Sequence, residues 1–300
     1  MSTGTARVDV VIVAFESREC LLTALDQLGN VPSLNAIVVD NASGDGTIEA
    51  VRERHPQVCV IANATNAGFS AACNQGWRAG QAPFVLFLNP DAQVRPAAVE
   101  ALADRLDAWP ELGIVGPLTR NADGTVQVST GRDLTPWSEI GQRRLVRGVA
   151  ARRPDALGRA ATLHAREHQP DWVSGACLMA RRAALDAVAG FDEGFFLYEE
   201  DADLCRRARA AGWRVLFTPA VEVSHQLGRS MARAPRHARL AYHRSHLRYY
   251  AKHASPGARV LLRALLALRA SLATGRALLA GDAAGRADAL LLLRLSLTGR

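Results

Sequence analysis

Four short apolar runs in the first ninety residues, each followed by a turn or a helical stripe, restrict this chain to a small set of folds. They are "VDVVIVAF" (Val8–Phe15), "AIVVDN" (Ala36–Asn41), "VCVIAN" (Val58–Asn63) and "FVLFLNPD" (Phe84–Asp91). Continuous rather than alternating hydrophobicity is the pattern of strands covered on both faces. Leu21, Leu22, Leu25 and Leu28 mark a helix after the first run, and another near Ile48–Arg54 follows the Gly44-Asp45-Gly46 turn. A short helix is expected over Ser70–Ala79, and Pro96 opens one that ends near Trp109. Repeated β-α units of this kind predict an α/β fold with a mostly parallel, Rossmann-like sheet flanked by helices.

Every run ends in polar residues: Ala14-Phe15-Glu16, Asp40-Asn41, Asn63 and Asn89-Pro90-Asp91. Open parallel sheets bind ligands beyond the carboxyl ends of their strands, so these groups converge on one candidate edge. Asp40 is placed to accept hydrogen bonds from a ribose or a base; alternatively, Asp40 and Asn41 only start the turn "DNASGDGT". No G-x-G-x-x-G follows the first run and no G-x-x-x-x-G-K-[ST] occurs, which disfavours NAD and P-loop chemistry. A phosphate here needs another neutralising device, and Asp91 at a strand end is a natural holder of a bridging divalent cation.

A second concentration of chemistry lies in "FFLYEEDADLCRRARAAGW", from Phe195 to Trp213. With a helix from about Glu200 to Ala211, Glu200, Asp203 and Arg207 share a face expected to be solvated, with an Asp203–Arg207 pair. Asp201 falls on the side of Leu204, Cys205 and Ala208, so its carboxylate faces the interior or a cleft. A charge aimed inward is costly without a partner or a task. Acids at a helix start are also favoured by the dipole, so a capped helix start is the alternative.

An apolar share of 49% suffices for a sizeable core. Five cysteines without a C-x-x-C, Cys59 among them in an apolar run, read as small core residues in a reducing compartment, with no disulfide expected. The first apolar run is too short for a signal peptide, and no uncharged stretch reaches membrane-spanning length. A cytoplasmic chain, or one lying against a membrane without crossing it, is expected. The net charge of +7 is unevenly distributed: residues 141–170 carry +5, residues 226–300 carry +12, and the remainder carries −10. The cations point to a polyanionic surface. Nucleic acid is disfavoured by the lack of a binding motif or interleaved aromatics. Anionic lipid fits the leucine-rich tail "RVLLRALLALRASLATGRALL" better, although its arginines and leucines do not separate on a helical wheel and an ordinary packed helix is the alternative.

Six phrases in order, "VVDNASGDGT", "NAGFSAACNQG", "FLNPDAQV", "WVSGACLMARRAAL", "GFDEGFFLYEEDADLCRRARAAGW" and "VEVSHQLGRS", resemble a family 2 glycosyltransferase of the GT-A fold, and most closely its bacterial rhamnosyltransferase-type members. The resemblance covers roughly Val8 to Ser230. It implies a GT-A domain over 1–230 and a basic helical C-terminal extension over 231–300. Within the domain, 1–125 would form the nucleotide-sugar half, 130–170 a variable basic insert, and 170–230 the acceptor and catalytic half. Asp40 would hold the nucleoside, with Phe15, Glu16 and Asn41 beside it, while Asn66, Gly68, Asn74 and Asn89 line the nucleotide and diphosphate pocket. Asp91 matches the last acid of the family's metal-binding D-x-D. Asn89 replaces the first acid, which leaves open how strictly Mg²⁺ or Mn²⁺ is required. His225, ending "VEVSH", would supply a second metal contact or serve as a strand-end histidine.

Asp201, with Glu200 beside it, matches the catalytic base, kept ionised by nearby arginines and the helix start. Phe195, Phe196, Leu197 and Tyr198 would wall the acceptor site and Trp172 and Gly175 its floor, the aromatic residues having simple core packing as their alternative. The implied reaction is inverting transfer of a sugar, with L-rhamnose from dTDP-rhamnose favoured, to a saccharide acceptor, lipid-linked by preference, in cell-surface polysaccharide synthesis. A nucleotidyltransferase acting on sugar phosphates, and a non-catalytic membrane-associated protein that binds nucleotide sugars, are the rivals. The first lacks here the basic glycine-rich phosphate loop it normally needs.

Overall fold

The computed structural model describes residues 6–225 and 235–298. Its principal sheet has eight strands in the order β3-β2-β1-β4-β9-β6-β10-β5. In chain order these are β1 (Val8–Ala14), β2 (Leu34–Asp40), β3 (Cys59–Ala62), β4 (Phe84–Leu88), β5 (Ala92–Gln93), β6 (Leu112–Arg120), β9 (Cys177–Arg181) and β10 (Arg214–His225). A separate two-stranded ribbon joins β7 (Thr130–Gly131) to β8 (Trp172–Val173). Only β9 and β5 run against the others, β9 between β4 and β6 and β5 along the end of β10. The expected mostly parallel sheet is thus observed, with a reversal at β9 that the apolar pattern does not show.

The uninterrupted apolar runs follow from burial on both sides. Val8, Val10 and Ile12 of β1 pack into one core with Leu21, Leu25 and Leu28 of α1 (Arg18–Leu28) and Leu102 and Leu106 of α4 (Pro96–Ala108). Val11 and Val13 face the opposite core, with Ala72, Cys73 and Trp77 of α3 (Phe69–Ala79) and Leu204, Cys205 and Ala208 of α8 (Glu200–Ala210). Helix α2 (Thr47–Arg54) follows the glycine turn as expected. The fourth run is strand only to Leu88; Asn89-Pro90-Asp91 form the turn into β5. Cys59, expected in the core, is exposed on the edge strand β3, where no outer strand covers it. All five cysteines are free.

The basic insert forms α5 (Pro136–Ala150) and α6 (Pro154–Leu163), closed on each other through Leu145, Val149, Ala156 and Ala160. A capping box between Thr135 and Ser138 starts α5. Helix α7 (Arg182–Ala187) follows β9. The expected boundary at 230 lies outside the described residues. Beyond it, α9 (Pro235–His253), α10 (Pro256–Leu279) and α11 (Ala283–Thr298) do not form a separate body. Tyr249 and Tyr250 of α9 and Leu262 and Leu266 of α10 share a buried cluster with Phe195 and Ala202.

That cluster corrects one expectation. Glu200 and Asp203 are not on a solvated face: both are buried, and the Asp203–Arg207 pair at 2.7 Å is joined by Lys252 at 2.8 Å and His253 at 2.6 Å from α9. A helix far along the chain covers the face that local periodicity assigned to water. It also uses part of the tail's positive charge inside the molecule, since Arg248 and Lys252 pair with Asp192 as well.

Candidate active site

Parallel register brings the strand ends together. Ala14 pairs with Asp40 and Asp40 with Ala62, and the ladder continues through Asn41 N–H to the Ala14 carbonyl (2.8 Å) and Asn63 N–H to the Asp40 carbonyl (2.9 Å). Asp40 is fully buried. Its Oδ2 accepts from Ser43 N–H at 2.9 Å, which is the turn role, whereas its buried Oδ1 has no protein partner. Buried carboxylate oxygens are ordinarily hydrogen-bonded, so this one is an exception that marks the strand end. Phe15, 44% exposed, stands at the end of β1, and Glu16, at φ +51°, accepts from Gly44 N–H at 2.6 Å.

Asn41, Asn63, Asn66 and Gly68 form a second tier. Asn41 accepts from the Asn63 amide at 2.9 Å and donates to the Gly68 carbonyl at 3.2 Å; Asn66 accepts from Gly68 N–H at 2.9 Å. Gly68 adopts φ +86°, and a β-carbon there would lie 2.7 Å from the Phe196 ring and 2.8 Å from its carbonyl. The next residue, Phe69, donates its N–H to that Phe196 carbonyl at 2.7 Å. The strand-end edge and the segment before α8 therefore touch at a position only glycine can occupy. Asn74 departs from its expected place in the pocket lining. It is buried, donates to the Phe191 carbonyl and Glu193, and accepts from Phe191 N–H and Trp77 Nε1. Its amide is consumed in tying α3 to the 191–193 loop.

The Asn89-Pro90-Asp91 turn meets His225 because β5 pairs antiparallel with the end of β10, His225 opposite Ala92. His225 Nε2 lies 3.1 Å from Asp91 Oδ1 and 3.3 Å from Asn89 Nδ2, and Nδ1 lies 3.1 Å from Gln127 Oε1. With Nδ1–H donated to Gln127, Nε2 and Asp91 Oδ1 are two acceptors facing each other, the arrangement that a cation joins. Among the described residues no group of three or more His, Cys, Asp or Glu side chains forms a metal cluster. A cation here would have one carboxylate, one imidazole and the Asn89 amide from the protein, and would need oxygens from a ligand, as is usual for Mg²⁺ and Mn²⁺ at phosphates. Gln127 was not foreseen: it lies between short β-segments and carries no motif.

Asn89 N–H donates to the Ala176 carbonyl at 2.9 Å, and the adjacent Gly175 N–H donates to Asp201 Oδ2 at 2.8 Å. The backbone just before β9 thus links the Asp91 turn to Asp201. Asp201 Oδ1 accepts from Ala202 N–H at 2.8 Å. Burial pushes the Asp201 carboxyl up, and the two backbone donors pull it partway back. Those donors, rather than the expected arginines, offset the charge. Glu200 points into a drier environment: burial and the neighbouring Asp201 raise its carboxyl well above the usual range, and its Oε2 has no partner.

Of the expected acceptor wall, Phe195 is fully buried core between Arg248 and Lys252, whereas Phe196 is 48% exposed and Leu197 and Tyr198 are half-buried. Trp172 donates its indole N–H to the Arg132 carbonyl at 2.9 Å and packs between two clusters, so it supports the floor.

Residues 9–187 match the model of glycosyl transferase family 2. An N-acetylglucosaminyl-diphospho-decaprenol L-rhamnosyltransferase of Mycobacterium tuberculosis is 35% identical over 224 residues, covering 71% of this chain and 73% of the relative. Among solved structures, a mannosyltransferase of Pyrobaculum calidifontis in complex with GDP-Man and Mn²⁺ aligns with a TM-score of 0.59 at 19% identity, over 99% of this chain and 89% of that one. GalNAc-T7 with UDP, GalNAc and Mn²⁺ aligns with a TM-score of 0.57 at 14% identity, over 82% and 48%. The reversed β9, the β4 turn carrying Asn89 and Asp91, and Asp201 at the head of α8 are thus arranged on a GT-A fold, and the chain belongs to glycosyl transferase family 2.

Proposed function

We propose that this protein transfers a rhamnosyl group from dTDP-rhamnose to a lipid-linked saccharide, inverting the anomeric centre. The observation that carries the reading is the continuous path from Asp91 and His225 through Asn89, Ala176 and Gly175 to Asp201. This path supports a reading in which the Asp91–His225 pair and the Asp201 carboxylate act on the two sides of one short backbone segment. Asp40 Oδ1 would accept from the donor nucleoside and exposed Phe15 would lie against its base. Asp91, His225 and Asn89 would hold Mg²⁺ or Mn²⁺, which supplies charge compensation for the departing diphosphate.

On the acceptor side, Asp201 takes the proton of a hydroxyl as its oxygen bonds to the anomeric carbon. The bond to the nucleotide diphosphate breaks on the opposite face, and its electron pair leaves with the diphosphate. Burial raises the Asp201 carboxyl, and general-base catalysis by such a group is worth about 10²- to 10⁴-fold in rate. Phe196, Leu197 and Tyr198 shield that encounter from water.

A lipid-linked acceptor is supported by the relative's decaprenol-linked substrate and by this chain's outer surface. Arg144, Arg153 and Arg159 line a hollow of about 360 Å³ between α5 and α6, and Trp137 and Ile140 on α5 are 77% and 50% exposed. Val260, Leu261, Leu265, Leu268 and Leu272 of α10 are exposed as well. Among the described residues no helix is long and apolar enough to cross a membrane. Arginines beside exposed aromatic and leucine side chains suit the inner, anionic face of a cell membrane.

The test is incubation of the purified protein with dTDP-rhamnose and an N-acetylglucosaminyl-diphospholipid, with and without Mn²⁺. Release of dTDP and a rhamnosylated lipid of inverted configuration is expected. Pyrophosphate release, or no turnover with any nucleotide sugar, would defeat the proposal.

A further inference from the structure

The residues that precede Asp201 are strained. Tyr198 and Glu199 have φ of +74° and +64°, a conformation that is costly for a non-glycine residue and persists only where surroundings enforce it. The enforcing groups come from α9. Ser245 Oγ donates to the Leu197 carbonyl at 2.8 Å, the Tyr242 ring meets Tyr198 edge-on at 5.8 Å, and His246 Nδ1 lies 2.5 Å from Glu199 Oε1. Further along the same helix, Lys252 and His253 hold Asp203, and Tyr249 is packed beside Ala202. Positions 242, 245, 246, 249, 252 and 253 repeat at helical spacing, so a single face of α9 grips the segment from Leu197 to Asp203.

His246 sits at the centre of that face and is 1% exposed at its side chain. Its Nε2 lies 3.3 Å from Glu139 Oε2, and Glu139 is held by Arg143 at 2.5 Å and by the Tyr250 hydroxyl at 2.5 Å. The basic insert, the C-terminal helix and the loop before α8 therefore meet in one buried polar network. Burial favours its neutral forms, pushing Glu199 up and His246 down to about 4, so a neutral imidazole bridges two carboxyl groups. Such a network is costly unless it is satisfied, and nothing in the proposed chemistry touches substrate through it.

We infer that His246 is a positioning residue, which fixes the left-handed turn at Tyr198-Glu199 and thereby aims the Asp201 carboxylate. The inference rests on the reading of Asp201 as the base. In the full chain, His246→Ala is expected to lower kcat about 10- to 100-fold with the donor KM within about twofold, because a misplaced base loses transition-state contact without losing donor affinity. An asparagine amide can occupy the place of Nδ1, and a glutamine amide that of Nε2. His246→Asn should therefore restore most of kcat and His246→Gln should not. Ser245→Ala, a smaller lesion, should lower kcat a few-fold, also with unchanged donor KM. Amide hydrogen exchange across 197–203, which needs no substrate, should quicken in His246→Ala and return toward the parent rate in His246→Asn. Unchanged exchange, unchanged kcat, or equal rescue by Asn and Gln would overturn the inference. Asp201→Asn is assayed alongside: full activity there defeats the base assignment, whereas an inactive Asp201→Asn beside an unaffected His246→Ala defeats this inference alone.

Discussion

At the donor edge, Asp40, Asn41 and Asn63 sit at the ends of adjacent parallel strands, and their backbone bonds run to neighbouring strands of the same small unit. In the segment leading into and starting α8, Glu199, Asp201 and Asp203 are held by groups from far apart in the chain: Gly175, His246, Lys252 and His253. The first arrangement leaves a buried oxygen on Asp40 without a protein partner. The second pairs Glu199 with His246 and Asp203 with Arg207, Lys252 and His253, while Asp201 accepts from backbone N–H groups. One half of the cleft is preformed by strand register, and the other is braced by buried charge.

That contrast predicts separable losses. Asp201→Asn removes the carboxylate that accepts from the Gly175 and Ala202 N–H groups, so kcat should fall about 10²- to 10⁴-fold with donor binding intact, read by turnover and calorimetric donor titration. If donor affinity fell in parallel, the two halves would not be separate. Asp91→Ala strikes the other half and should raise the Mn²⁺ concentration needed for half-maximal activity by about 10- to 100-fold, measured by metal titration; an unchanged metal response would remove Asp91 from the site.

Gly68 is where the halves touch. Gly68→Ala is expected to cost about 1–3 kcal/mol in urea unfolding, from its φ of +86° and the close Phe196 contact. An unperturbed Gly68→Ala would mean that the contact gives way easily and couples nothing. Asp40→Asn should weaken donor binding about 10-fold, about 1.4 kcal/mol, with kcat at saturating donor near the parent value. The smallest effect is expected at the outer face: Trp137→Ala should weaken partition onto vesicles containing anionic phospholipid about threefold, by sedimentation, without altering turnover on a water-soluble acceptor.

The parallel sheet and its polar edge were legible in the order of residues alone. Two-sided burial requires continuous apolar runs, and parallel register then aligns whatever polar residue ends each run. The same order also placed Asp201 on the inward side of α8, since a period of 3.6 residues puts it over Leu204, Cys205 and Ala208. Packing between distant segments is what buries Glu200 and Asp203, sets backbone N–H groups rather than arginines on Asp201, makes Asn74 a strut, and brings Gln127 to His225 and His246 to Glu199. Local periodicity reports which face of a helix is apolar. It cannot report which distant helix, bringing charges of the opposite sign, will cover the polar face, because that depends on contacts some 50 to 100 residues apart.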